Sequence, residues 1–303
     1  MRVRLIIAAA SLFSLSPYAL AAEPWQQVIA TGLGKAGTEL PGGVYRVGLP
    51  RTDLKVVLDG IEIKPALALG SWLAFKPMGN EVMVMGDLVL TQEEVNSVMM
   101  QLEEGGVGIT ALHNHLMRAA PNPMYMHVLG HGEPAQLAAA LNRALKASKT
   151  PLDTETTASA YQAVPTGNAE TTIALDTAAI DQSLGYKGKI NSGVYQVSVS
   201  RAAAVMDSGI EVPASMGSAI ALNFQPTGPG RAAITGDFVL TADEVNPVVK
   251  ALRSNGIEVT AIHNHMLNDE PRLFFLHFWA DDDAMKLAAG LKAALDRVKI
   301  AKG

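Results

Sequence analysis

"GDFVLTADEVNPVVKALRSNGIEVTAIHNHM" occupies residues 236–266, and "GDLVLTQEEVNSVMMQLEEGGVGITALHNHL" occupies residues 86–116. The offset is 150, and between Gly86–His115 and Gly236–His265, 16 of 30 positions are identical. The match extends outward: "GGVYRV" at 42–47 lies on "SGVYQV" at 192–197, and His127 lies on His277. A repeat of this length is a duplicated domain, not a solenoid unit.

Within each copy the order of elements is legible. Thr91 with Glu94, and Thr241 with Glu244, form a Thr-x-x-Glu capping box at a helix start. Val95, Val98, Met99 and Leu102 recur at helical spacing, as do Val245, Val248, Val249 and Leu252. Gly106 and Gly256 are stop signals. A strand then ends in His-Asn-His, a polar turn with proline follows, then another strand ("MYMHVLGH"; "RLFFLHFWAD") and an Ala/Leu-rich helix. Upstream, a short helix ("PWQQVIATGL"; "LDTAAIDQSL") precedes several strands, including "GVYRVGL", "KVVLDGIEI", "SWLAF" and "EVMVMGDLVL" in the first copy. The reading is α+β: two tandem homologous domains, each a mostly antiparallel sheet packed with helices. Residues 148–172, rich in Thr, Ser, Ala, Pro and Gly, read as a linker. The domains are then 23–147 and 173–303.

The first 22 residues read as an export signal: "MRVR", the apolar "LIIAAASLFSL", then "SPYALAA" with Ala19, Ala21 and Ala22 at a cleavage position. The apolar run is short for a bilayer span. The 303-residue chain has no cysteine, which excludes disulfides, thiolate metal sites and cysteine nucleophiles. Absence of thiols suits an oxidising compartment. A net charge of −5 argues against nucleic acid as a partner. The expectation is a periplasmic or secreted protein with no stable membrane insertion.

Six of the seven histidines occupy matched positions. On a strand, His113 and His115 point to one face, as do His263 and His265, and each pair presents two imidazoles to one ion. His127 and His277, on the following strand, supply a third ligand. The expectation is one site per half, His113/His115/His127 and His263/His265/His277, holding a transition metal, with zinc or copper foremost. His131 and its mate Asp281 are candidate additional ligands. The competing reading is a structural network in which the imidazoles cap carbonyls or pair with carboxylates.

Other matched residues carry weaker signals. Asp87 and Asp237 read as turn aspartates or as carboxylates that orient an imidazole. Glu94 and Glu244 are explained by capping. Asn96 and Asn246 sit inside a helix, where asparagine is unfavourable, and suggest a buried hydrogen bond. Glu62 and Glu211 share "GIE" and are further ligand candidates. Met117, Met124, Met126 and Met266 flank the clusters and read mainly as core. Phe274, Phe275, Phe278 and Trp279 read as core or as the wall of an apolar pocket. A consecutive His-Asn-His is not the dispersed nuclease motif of that name. The cupin pattern needs a glutamate shortly after His-x-His, and Glu270 stands too far on, five past His265.

The doubled "GDFVLT…EVN…G…VTAIHNHM…H" pattern resembles the LppY/LpqO family, a domain of unknown function typified by mycobacterial lipoproteins. The resemblance covers both halves and implies an exported, duplicated unit, but no activity. The lipidated cysteine of those lipoproteins has no counterpart here, so their membrane anchor does not carry over. Three functions are compatible with the residues: a metal-binding protein, a metal-dependent enzyme (hydrolase or oxygen-using) acting on a small molecule, and a metal-free module that binds a small ligand.

Overall fold

In the computed structural model, residues 24–152 and 172–302 are described. The export-signal segment lies outside them, as does most of the linker. The linker's first residues are part of the first domain: Lys149 N–H donates to Glu94 Oε1 at 2.8 Å, and Leu152 packs against the core.

The first half runs α1 (Trp25–Leu33), β1 (Thr38–Leu40), β2 (Val44–Pro50), β3 (Val57–Leu58), β4 (Ile61–Glu62) and α2 (Pro65–Ala68). It continues with β5 (Gly70–Met78), β6 (Glu81–Leu90), α3 (Gln92–Glu104), β7 (Gly108–His113), β8 (Met124–Gly132) and α4 (Pro134–Lys146). The second half repeats this with α5 (Thr177–Leu184), β9 (Lys189–Asn191), β10 (Val194–Val199), β11 (Met206–Asp207), β12 (Ile210–Glu211) and a 3-10 turn (Ala214–Met216). It closes with β13 (Ile220–Gly228), β14 (Arg231–Leu240), α6 (Ala242–Ser254), β15 (Glu258–His263), β16 (Asp269–Glu270), β17 (Phe274–Asp283) and α7 (Ala284–Leu295).

Each half forms a six-stranded antiparallel sheet, ordered β1-β2-β5-β6-β8-β7 in the first and β9-β10-β13-β14-β17-β15 in the second. The segment "KVVLDGIEI" does not join the main sheet; its two short strands pair with each other, and Val57 also bridges Ala120. One face of each sheet is covered by its own helices. Leu73, Phe75, Val84, Leu88 and Met126 pack there against Val98, Leu102 and Leu141 of α3 and α4. The alternate residues, Trp72, Ala74, Met83 and Met85, join the core of the second half. Burial on both faces explains why β6 and β14 are near-continuous apolar runs and not alternating ones. The layers are helices, sheet, sheet, helices, with the repeats back to back.

The halves are laced together across that seam. Asn223 Nδ2 donates to Leu67 O and Gln225 Nε2 to Glu62 O, so α2 and its approach lie over the second sheet. Reciprocally, Arg46 Nη1 donates to Ser215 O, and Lys76 Nζ to Glu211 O.

A buried ion pair pins each helix start. Arg51 bonds Glu94 Oε2 at 2.8 Å and Val89 O at 2.7 Å; Arg201 bonds Glu244 Oε2 and Val239 O, both at 2.7 Å. The same Glu94 and Glu244 oxygens accept the capping N–H of Thr91 and Thr241. Both capping boxes are therefore real, and each glutamate also ties the last residues of its domain through Lys149 or Lys299 N–H.

Candidate metal centre

The structure brings the six matched histidines into one cluster between the sheets, not into two separate sites. His113 stacks on His263 and His115 on His277, each with ring centroids 3.5 Å apart; His127 stacks on His265 at 3.8 Å. Every one of these pairs crosses from one half to the other. Tyr125 and Phe275, themselves repeat mates, stack at 3.4 Å on His115 and His265 and wall the cluster.

The local route to this geometry differs from a simple strand alternation. β7 and β15 end at His113 and His263. The chain then bends at Asn114, whose Oδ1 accepts the Leu116 N–H at 2.7 Å, and His115 enters the cluster from a turn. Asn264 reaches across to donate to Thr110 O, and Thr110 Oγ1 donates to His265 O. These bonds lock the second His-Asn-His segment against the first repeat, whereas Asn114 bonds Asn122 and Leu116 within its own repeat.

The strands supply the remaining donors. His127 sits opposite Asp87, and His277 opposite Asp237, in adjacent strands. Asp87 and Asp237 are thus on strands inside the cluster, which corrects the turn reading. His277 Nδ1–H donates to Gly236 O at 2.7 Å, and His127 makes the equivalent bond to the Gly86 backbone. That bond places the proton on Nδ1 and leaves the Nε2 lone pair facing inward, the arrangement a metal-binding histidine needs. Glycine at these positions is required by close approach. A Cβ on Gly236 would stand 1.9 Å from Ala221 O, and one on Gly86 2.8 Å from Trp72 O.

Three overlapping sets have one donor atom per residue within 4.8 Å of one another: His113/His115/His263/His277, Asp237/His263/His265/His277, and Asp87/His115/His127. Seven buried donor atoms of this cluster have no hydrogen-bond partner: Asp87 Oδ1, Asp237 Oδ1, His113 Nδ1, and Nε2 of His127, His263, His265 and His277. Unpaired buried polar atoms cost about 1–3 kcal/mol each, so such a concentration in one place calls for a ligand.

Electrostatics agree. Burial pushes His113 down to about 3 and His263 to about 4, and the other four well below the usual imidazole range. Burial raises Asp87 to about 8, against the opposing pull of Arg46, and raises Asp237 well above the usual carboxylate range, with Asp87 adding to it. Burial thus favours neutral imidazoles and protonated carboxyls, which makes the 3.3 Å His265–Asp237 contact polar and not an ion pair. A cation entering here replaces the carboxyl protons and reverses that logic.

The remaining sequence candidates fall outside. His131 is exposed and four residues along β8 from His127, and the Asp281 carboxylate is held by Arg231 and Thr227. Glu62, Glu211, Asn96 and Asn246 are exposed, which removes the buried hydrogen bond expected of the asparagines. Met126 and Met266 are core residues, Met124 packs against the core, and Met117 is half exposed. Phe278 is core, and Trp279 donates from Nε1 to Asp59 across the halves.

A cavity of about 890 Å³ opens onto the cluster, reaching His115, His265, His277, Asp87 and Asp237. Sequence reasoning missed this cavity and its cationic residues Arg46 and Lys189, which come from different halves. It also missed Arg51 and Arg201, although their offset of 150 was a usable signal.

Among the described residues no helix is long and apolar enough to cross a membrane. None of the curated proteins compared matches the chain. Solved structures with distant similarity include the trimeric bacterial microcompartment shell protein PduB, at 11% identity over 88% of this chain and 95% of that one, with TM-score 0.21. Another is EtuB from Clostridium kluyveri, at 10% identity over 86% and 90%, with TM-score 0.19. Scores this low establish no shared fold. The profile of one family matches twice, at residues 27–147 and 178–297. These segments are the two halves that build the cluster, and the chain belongs to that family, described as Domain of Unknown Function (DUF1259).

Proposed function

We propose that the protein binds a transition metal in a single centre assembled between its two repeats. The observation that carries this reading is the convergence of seven unpartnered buried donor atoms from five histidines and two aspartates, with His115 beside them. A structural network would have satisfied those atoms. Eight candidate ligands exceed the four to six of one ion, so the centre holds a pair of ions. Imidazole and carboxylate donors without thiolate suit zinc first, with copper, nickel and iron as competitors. The methionines give no support to a thioether-selected copper site.

A second reading, metal-dependent catalysis on a small molecule, is favoured by the cavity that reaches five of the eight donors. An open position beside a metal is where water or oxygen is activated. Export through cleavage after Ala22, and kinship with the LppY/LpqO lipoproteins within the wider family, are part of the same proposal.

Elemental mass spectrometry on untagged protein purified without chelator tests the metal. About two equivalents of one transition metal per chain supports the reading. Less than about a tenth of an equivalent, with no uptake on titration, overturns it in favour of a metal-free binding module.

A further inference from the structure

The two arginines that pin the helix starts are not equivalently paired. A guanidinium carries five N–H donors in a fixed fork. Arg51 uses all of them: Nη1 on Val89 O and Glu94 Oε2, Nη2 on Glu94 Oε1 and Asp53 Oδ2, and Nε on Asp53 Oδ1. Asp53 thus grips one whole edge of Arg51, with both contacts at 2.8 Å. Arg201 repeats the other bonds, with Nη1 on Val239 O and Glu244 Oε2 and Nη2 on Glu244 Oε1. The edge that Asp53 fills in the first repeat has no counterpart carboxylate in the second. The chain there reads Arg201-Ala202-Ala203-Ala204, where the first repeat has Arg51-Thr52-Asp53-Leu54. Among the described residues, Arg201 Nε is left buried without a partner.

The missing carboxylate coincides with an opening. Arg201 and the three alanines line the cavity that reaches the histidine–aspartate cluster, whereas Arg51 and Asp53 do not. The alanines are exposed, and Arg201 is 8% exposed. Its bonds to Glu244 and Val239 orient the guanidinium before any ligand arrives, so little freedom is lost when the open edge is used. Arg51 shares its charge between two carboxylates, and Arg201 has one. A second carboxylate would restore the arrangement the first repeat already holds, in the bidentate form that makes such pairs strong. Val239, whose carbonyl Arg201 grips, stands two residues from Asp237 on β14, a distance of about 7 Å along a strand. Asp237, His265 and His277 line the same cavity, so a short ligand spans from Arg201 to the cluster.

We propose that Arg201 is the carboxylate-binding residue of this cavity: a small organic acid docks on its open edge as Asp53 docks on Arg51, with the far end of the acid directed at the histidine–aspartate cluster. The carboxylate slot stands on Arg201 and the loop beside it; only the placement of the ligand beside a metal ion rests on the metal reading above.

The test is calorimetric titration of succinate, and separately of inorganic phosphate, into metal-free and zinc-loaded protein. Ala203→Asp and Ala203→Glu each supply the absent carboxylate from the chain itself and leave the Arg201–Glu244 pair in place. The parent protein should bind succinate saturably. At least one variant should bind it tenfold or more weakly in the metal-free state, unfold in urea at a concentration no lower than the parent, and keep its metal content. No saturable succinate binding to the parent, unchanged affinity in both variants, or tighter binding of phosphate than of succinate overturns the proposal. Succinate binding lost only together with stability overturns it too, because the slot would then not accept a carboxylate. Protein that takes up no metal yet binds succinate in competition with the new side chain sinks the metal reading and keeps this one.

Discussion

His263→Ala separates a shared centre from two independent sites. His263 belongs to two of the three donor sets, once with His113, His115 and His277, and once with Asp237, His265 and His277. It also stacks directly on His113 of the other repeat. If each half held its own ion, removing this imidazole would spare the first half entirely. In the shared centre it removes a ligand at the point where the sets overlap. Metal binding at structural sites with four ligands releases roughly 10–16 kcal/mol. Dividing that evenly gives about 3 kcal/mol per ligand, or about a hundredfold in affinity.

The assay is competition for zinc against a chromophoric chelator at pH 7.5, with stoichiometry read by mass spectrometry. The expected outcome is that both equivalents weaken, the tighter by about a hundredfold, an even share of the binding energy. His131→Ala, exposed and remote on the same strand as His127, is the control and should change nothing. A variant that loses one equivalent while retaining the other at parental affinity would refute the shared centre and restore the two-site reading.

Glu244→Gln should destabilise the protein by about 3–5 kcal/mol, the cost of leaving a buried Arg201 guanidinium without its countercharge; urea unfolding that shifts by less than about 1 kcal/mol would show the pair to be dispensable. Metal-free protein should lose stability as pH falls below about 6.5. Burial depresses all six cluster histidines, so the folded state resists protons that the unfolded chain binds; the stabilisation is complete above the unfolded value and declines beneath it. Between pH 6.5 and 5.5 the loss is about 1 kcal/mol per histidine, offset in part by Asp87 and Asp237, whose raised folded values favour the fold as pH falls, and bound zinc should move the decline to lower pH. A flat stability profile over pH 7.5–5.5 without metal would contradict that burial.

Much of the fold was legible because duplication prints each signal twice. The capping boxes, the amphipathic helices and the strand ending in His-Asn-His were readable in both copies, and each was found at its expected place. What stayed hidden depends on contacts between the copies. Nothing in either repeat alone says that its sheet turns an apolar face to the other. The strand "EVMVMGDLVL" was readable, but Gly86–Asp87 within it, like Gly236–Asp237, suggested a turn because glycine and aspartate favour turns. They are mid-strand instead, since the glycine is demanded by the neighbouring backbone and the aspartate by the cluster. The paired histidines were recognisable by type and spacing, but their sharing across the seam was not.

The same geometry explains why a duplicated chain keeps both copies of its histidines while other residues drift. In a protein with two separate sites, either copy can decay and leave one working. Here each cross-half stack needs a member from both repeats, so loss of His263 empties sets that include His113 and His115 as well as its own neighbours. Residues away from the axis carry no such coupling. Arg46 has Gln196 as its repeat mate, Trp72 has Ala221, and Lys189 has Thr38. One chain can therefore hold a symmetric cluster and an asymmetric approach to it.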